Sequence, residues 1–193
     1  MNEKTILVDA DGVLLAWDYA FDIWVSDRGF KQVPGGNITY SIEKRYGINS
    51  DVCMSLIKLF NESASIGFLP PLRDAEYYVR KLHEDHGYDF ICITSVSLDK
   101  NAQRLRKMNL KKLFGNTAFS EIICLDTGAP KEEALTPFQN TGLYWIEDKV
   151  KNAQTGARLG LKSIIMEHGH NMMYQGPIPV VKNWAQIYKM IIK

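Results

Sequence analysis

A chain of 193 residues that is 46% apolar and 23% charged fits one globular domain, or one domain carrying a sizeable insertion. Its 23 lysines and arginines against 22 aspartates and glutamates leave a net charge of +1, which argues against a nucleic-acid or membrane-surface partner. The longest apolar runs, such as Ile91-Cys92-Ile93 and Ile164-Ile165-Met166, fall far short of the ~20 residues that a bilayer span requires.

The first predicted strand, Thr5–Val8, runs straight into Asp9, Asp11 and Gly12. Carboxylates are rarely buried without a partner, so two of them at the end of a core strand call for a reason. Helix-like segments follow at 18–28, 40–46 and 51–62, broken by Pro34-Gly35-Gly36 and closed by Pro70-Pro71. No strand pattern interrupts them. Residues 17–69 therefore read as a helical insertion, a small lid over a core built from 1–16 and 70–193.

Helical spacing resumes at Leu72, Ala75, Val79, Leu82 and His86, with Gly87 as the stop. A strand is predicted at 89–94, then a helix whose face is Leu98, Ala102, Leu105 and Met108. Strands at 121–125 and 143–146 come next, and Val150, Ala153 and Ala157 mark a helix ended by Gly160. The last predicted strand is Lys162–Met166; Asn183 then caps a helix with Trp184, Ile187, Tyr188 and Ile191 on its apolar face. The strands are apolar throughout rather than alternating, as strands buried on both faces of a parallel sheet must be. The expected fold is α/β: a three-layer, Rossmann-like parallel sheet.

Ligands of such sheets bind beyond the carboxyl ends of the strands. The chain delivers Asp9 and Asp11 there from the first strand, Thr94 and Ser95 from the second, Lys131 after the third, and Glu147 and Asp148 from the fourth. In their order and spacing these residues resemble the haloacid dehalogenase superfamily of phosphatases. "DADGV" at 9–13 is similar to its Asp-x-Asp-Gly-x motif, Thr94 in "FICITS" to its second, Lys131 to its third, and "WIEDKVKNA" at 145–153 to its acidic fourth. The insertion at 17–69 stands where that superfamily carries a helical C1-type cap.

The resemblance implies a Mg²⁺-dependent phosphomonoesterase with a small-molecule phosphomonoester as partner. Asp9 would attack phosphorus to form an aspartyl-phosphate, while Asp11 protonates the leaving oxygen and afterwards activates water. Mg²⁺ would take the carboxylates of Asp9 and Asp148 and the backbone carbonyl of Asp11, with Glu147 in a supporting role. Thr94, Ser95 and Lys131 would hold the phosphoryl oxygens. The chemistry is consistent: a phosphate dianion repels an attacking carboxylate by roughly 4 kcal/mol at 4 Å and an effective dielectric near 20, so positive charge must be supplied. Mg²⁺ prefers oxygen ligands and keeps several waters. The dehalogenases of the superfamily lack a carboxylate two residues after the nucleophile, so Asp11 favours the phosphatase.

Three other readings are weaker. A calcium loop needs further oxygen ligands and a Glu at its twelfth position, where Ala20 stands. A phospho-aspartate receiver module places its Lys last, whereas Lys131 precedes Asp148. A catalytically idle binding protein has no reason to keep every reactive residue type. Within the phosphatases, Thr94-Ser95 is similar to the deoxyribonucleotidase branch, which favours a nucleoside monophosphate; a sugar phosphate or a polynucleotide end remains open. Trp17, Tyr19, Phe21 and Trp24 open the insertion as either bundle core or a surface for stacking on a planar substrate, with Trp17 and Phe21 as the pocket candidates.

His168 and His170 are expected in a plain surface loop, and Lys100, Arg104, Arg106, Lys107, Lys111 and Lys112 on the solvated face of a crossover helix. Cys53, Cys92 and Cys124 form neither a metal-spaced pair nor an even disulfide set, and no signal-like apolar region precedes Asp9. The expected location is a reducing cytoplasm.

Overall fold

A computed structural model describes residues 3–192. Its centre is one six-stranded sheet, with β1 Thr5–Val8, β2 Asp89–Ser95, β3 Phe119–Leu125, β4 Tyr144–Glu147, β5 Lys162–Met166 and β6 Val180–Val181. The strand order is β3-β2-β1-β4-β5-β6, and every pairing is parallel. The helices are α1 Trp17–Ser26, α2 Ile42–Tyr46, α3 Ser50–Asn61, α4 Ala75–His86, α5 Lys100–Phe114, α6 Glu132–Leu135, α7 Val150–Arg158 and α8 Trp184–Ile191. This is the expected three-layer α/β fold.

Alternate residues of the central strands enter opposite cores. Ile6, Val8, Cys92 and Ile146 join α4, α8 and the insertion helices on one face, whereas Leu7, Ile93 and Trp145 join Leu135, Phe138 and Leu161 on the other. Burial on both faces is why these strands read as unbroken apolar runs. Two details differ from expectation. β3 is an edge strand with Ser120 and Glu121 exposed, so double-sided burial does not extend to it. β6 is a two-residue strand, too short to register as a periodic pattern.

Residues 17–69 hold α1, α2 and α3, joined by turns and irregular segments, and their entry and exit lie side by side. The Ala16 N–H donates to the Pro70 carbonyl at 3.0 Å and the Leu72 N–H to Leu14 at 2.8 Å. Phe21, Val25, Phe60 and Ile66 from this segment belong to the same buried cluster as Val8 and Val13. Phe21 is fully buried, stacked on Trp17 at 4.7 Å and edge-on to Phe60 at 5.4 Å. Of the two readings of these aromatics, bundle core holds for Phe21, which corrects its assignment to the pocket. Cys53, Cys92 and Cys124 are free thiols, and no helix among the described residues is long and apolar enough to cross a membrane.

Candidate active site

The sheet order reverses between β1 and β4, where the chain leaves one half of the sheet and begins the other. The splayed connections at such a point open a crevice beyond the carboxyl ends of the two strands. Asp9 follows β1 there, and Glu147 ends β4 with Asp148 directly after it. The Asp9 N–H donates to the Ile146 carbonyl at 2.9 Å, locking the two strand ends together.

Beyond Asp9 the chain turns tightly. Leu14 and Leu15 both donate to the Ala10 carbonyl at 2.8 Å, and Gly12 donates to Leu15 at 2.9 Å. Gly12 has φ +73°, and a Cβ there would lie 2.7 Å from Asp148 Oδ2, so glycine is required twice over. Side chains from the far end of the chain hold the turn: Trp184 Nε1 donates to the Val13 carbonyl and His168 Nε2 to the Gly12 carbonyl, at 2.8 and 2.7 Å. The loop carrying His168 and His170 is thus not a plain surface loop. His170 stacks on His168 and brings Nε2 to 3.4 Å from Asp148 Oδ2, while Asn171 Nδ2 donates to the Asp148 backbone carbonyl at 2.7 Å. Burial pushes both imidazoles below their ordinary pKa.

Lys131 precedes α6 and is buried, with Nζ 2.6 Å from Asp9 Oδ2 and 2.9 Å from Glu147 Oε2. Oxygen atoms of Asp9, Glu147 and Asp148 lie within 4.8 Å of one another. Two of these carboxylates, Asp9 and Glu147, share the Lys131 ammonium, while Asp148 faces His170. Burial, then the neighbouring Glu147 carboxylate, pushes Asp9 up from 3.8 to about 8. The same two causes, burial first, raise Asp148 well above the usual carboxylate range. Burial opposes ionisation of Glu147 too, but Lys131, the Asp148 side chain and the Lys149 N–H, the last at 3.0 Å, outweigh it and hold Glu147 low; the Asp148 N–H also donates to Glu147 at 3.1 Å. Glu147 is the anchored anion of the cluster, with hydrogen bonds on both oxygens.

The remaining expected residues are partly relocated. Ser95 lines the cavity and donates its hydroxyl to the Ala129 carbonyl at 3.0 Å. Thr94 is fully buried and absent from the cavity lining; its hydroxyl meets Arg106 Nη1 at 3.5 Å, which corrects its placement beside the phosphoryl oxygens. Asp11 lines the cavity, but both of its oxygens are taken by Arg106, at 2.5 and 3.1 Å. Arg106 has no exposed surface, so its place on a solvated helix face is corrected as well. Trp17 does line the cavity, its Nε1 donating to Asn61 Oδ1 at 2.9 Å while Asn61 Nδ2 donates to the Val96 carbonyl at 2.8 Å. Asn61 and Tyr40, both in the lining, carried no signal in the sequence.

The cavity above this floor measures about 290 Å³. Its polar end is Asp9, Asp11, Lys131, Glu147 and Asp148, and its other wall is Trp17, Tyr40, Ile42, Met54 and Ile57 from the insertion. Predominantly apolar walls with a few convergent polar groups are the usual make-up of a small-molecule site.

Comparison with known proteins gives the same fold. A haloacid dehalogenase-like hydrolase from Streptococcus pneumoniae superposes with a TM-score of 0.65 at 14% identity, covering 97% of each chain. L-2-haloacid dehalogenase from Xanthobacter autotrophicus, with chloropropionic acid covalently bound, gives 0.62 at 9% identity over 98% of each chain. CbbY from Rhodobacter sphaeroides in complex with phosphate gives 0.60 at 15% identity over 95% of this chain and 96% of its own. The chain has the fold of the haloacid dehalogenase-superfamily hydrolases. In sequence it is 31% identical over 139 residues to an uncharacterized 32.4 kDa protein from the Gp30-rIII intergenic region of Enterobacteria phage T4. The match takes in 68% of this chain and 48% of that relative, so the chain spans about half the length of the curated protein it matches. No protein-family model matches.

Proposed function

We propose that this chain is a Mg²⁺-dependent phosphatase of small phosphomonoesters, with Asp9 as nucleophile. One observation carries the reading: Asp9, Lys131, Glu147 and Asp148 arrive from separate parts of the chain and meet at the sheet's topological switch point, beneath a cavity into which Asp11 also projects.

The donor set suits Mg²⁺, because it is all oxygen and carries more negative charge than Lys131 offsets. Asp9 and Asp148 would hold the ion through their carboxylates and Asp11 through its carbonyl, while Glu147, already hydrogen-bonded on both oxygens, fixes Lys131 and the 148–149 backbone. When bound, the ion would offset the negative charge on the phosphoryl group. Asp9 attacks phosphorus as the bond to the leaving oxygen breaks, and Asp11 gives that oxygen its proton. Asp11 then takes a proton from the water that cleaves the aspartyl-phosphate. Lys131 and Ser95 stand beside the phosphoryl oxygens, and such a site works mainly by position and charge.

A nucleoside monophosphate is the favoured substrate. Trp17 and Tyr40 supply aromatic rings to a wall that is otherwise Ile42, Met54 and Ile57, suited to a planar base. Dehalogenation, the chemistry named for one structural neighbour, is the weaker reading because it has no use for a second carboxylate in the cavity two residues after the nucleophile, where Asp11 stands. Phosphate release from a panel of nucleotides, sugar phosphates and an aryl phosphate tests the proposal. Turnover is expected with Mg²⁺ and none with excess chelator. Absence of release from every compound in Mg²⁺ would overturn it.

A further inference from the structure

We infer that Arg106 is a positioning residue for Asp11: its guanidinium fork fixes the carboxylate that exchanges protons, from a helix that contributes nothing to the cavity wall. The inference rests on the phosphatase reading for its kinetic consequence but on geometry alone for the contact.

Six of the chain's 23 basic residues lie on α5 and none of its 22 acidic ones do. Five of the six face solvent, as isolated cations should; Arg106 is the exception, with no exposed surface. It sits on the helix face shared by Ala102, Asn109, Leu110 and Phe114, which is otherwise the packing face against the sheet and the insertion. A guanidinium there is tolerated only against a carboxylate. Asp11 is the carboxylate with which it pairs, Nη1 to Oδ1 at 2.5 Å and Nη2 to Oδ2 at 3.1 Å.

Two parallel bonds fix the plane of a carboxylate, where a single ammonium contact would only tether it. Nη1 also reaches the Thr94 hydroxyl at 3.5 Å, linking the fork to the end of β2, while Nε is buried with no partner. Each carboxylate oxygen accepts at two lone-pair sites. Arg106 uses one on each oxygen, leaving a site on each for the proton passed to the leaving group and for the one later taken from water. Asp11 keeps a quarter of its side-chain surface exposed, at 26%, on the cavity side.

The test compares wild type, Arg106→Lys and Arg106→Met on an alkyl phosphate, whose leaving oxygen needs a proton, and on 4-nitrophenyl phosphate, whose leaving oxygen does not. Arg106→Met is expected to lower kcat on the alkyl ester at least about tenfold more than on the aryl ester, with KM changed by less than about twofold. Arg106→Lys, which keeps the charge but not the fork, should fall between. In an Asp11→Asn background, Arg106→Met should cost nothing further in kcat. Equal losses on both esters, or a full additional loss in that background, would show a structural role and overturn the inference. A crystal structure of Arg106→Met provides the activity-independent arm: the Asp11 carboxylate is expected to leave its wild-type orientation, and an unmoved Asp11 would contradict the inference. Failure of wild type to hydrolyse either ester would instead count against the phosphatase reading, and the crystallographic arm would still decide the contact.

Discussion

Asp9→Asn is expected to abolish phosphate release while leaving the thermal unfolding midpoint unchanged or raised in the absence of divalent cations. The two halves follow from one geometry. The amide cannot form an acyl-phosphate, so the first chemical step has no nucleophile, and neighbouring Asp11 cannot take its place while paired to Arg106. The side chain's volume is kept, so the fully packed strand end is undisturbed. One member is lost from a cluster in which three carboxylates lie within 4.8 Å of one another. Where Asp9 is ionised, near and above about pH 8, like charges at ~5 Å repel by roughly 3 kcal/mol at an effective dielectric of 20 and the substitution relieves that repulsion; at lower pH it exchanges one neutral side chain for another. Lys131 retains Glu147 at 2.9 Å, so its ammonium is not orphaned. Residual turnover near the wild-type rate would show that the nucleophile is misassigned. A large drop in the midpoint would show that Asp9 is chiefly structural.

The second large effect is the coupling of stability to pH and divalent cation. Asp9 has an ordinary pKa of 3.8 and is pushed to about 8 in the folded chain by burial and then Glu147. Asp148 moves in the same direction, again chiefly through burial. Between those values the folded state binds more protons than the unfolded state, so stability falls as pH rises. The lowered pKa values of His168 and His170 act in the opposite sense below their ordinary value, so in chelator the decline of the unfolding midpoint should be clearest between about pH 7 and about pH 8. Mg²⁺ held by the ionised carboxylates would offset the repulsion that causes the decline, so its stabilising effect is expected to be larger at about pH 8 than at about pH 6. Differential scanning calorimetry in chelator and in millimolar Mg²⁺ measures both. A midpoint independent of pH in chelator, or a Mg²⁺ shift no larger at pH 8, would contradict the charge balance described for the site.

Much of this architecture is written in local pattern. Strands buried on both sides leave runs such as Ile6-Leu7-Val8, and Asp9 interrupts its run so abruptly that the site announces itself at the strand end. Asn183 and Gly87 mark helix ends by the chemistry of the cap: Asn183 accepts from the Gln186 N–H, and Gly87 adopts φ 70°. What was illegible depended on long-range context. Val180–Val181 is a strand only because β5 is beside it. Phe21 was ambiguous because core and pocket aromatics share the same helical spacing, and only the position of Phe60 and Tyr46 around it decides.

Arg106 was hidden by its neighbours. In a helix so rich in lysine and arginine another cation looks solvated, and the apolar face drawn through Leu98, Leu105 and Met108 was rotated from the true one, since Leu98 and Met108 are exposed. The overlooked signal was the four-residue spacing of Ala102, Arg106, Leu110 and Phe114, which places a charge in the middle of a buried stripe. His168 and His170 carried no comparable local mark. Their role comes from the carbonyls of Gly12 and Asp148, some 156 and 22 residues away along the chain.

The central claim is that Asp9 carries the phosphoryl group covalently. Acid-quenching the enzyme during turnover of a slow phosphomonoester in Mg²⁺, followed by peptide mass spectrometry, tests it most directly. A phosphate adduct on the peptide holding residues 5–15, at Asp9 and missing from Asp9→Asn, is the outcome this account requires. Steady hydrolysis with no adduct on that peptide, or an adduct that persists when Asp9 is replaced, would contradict it.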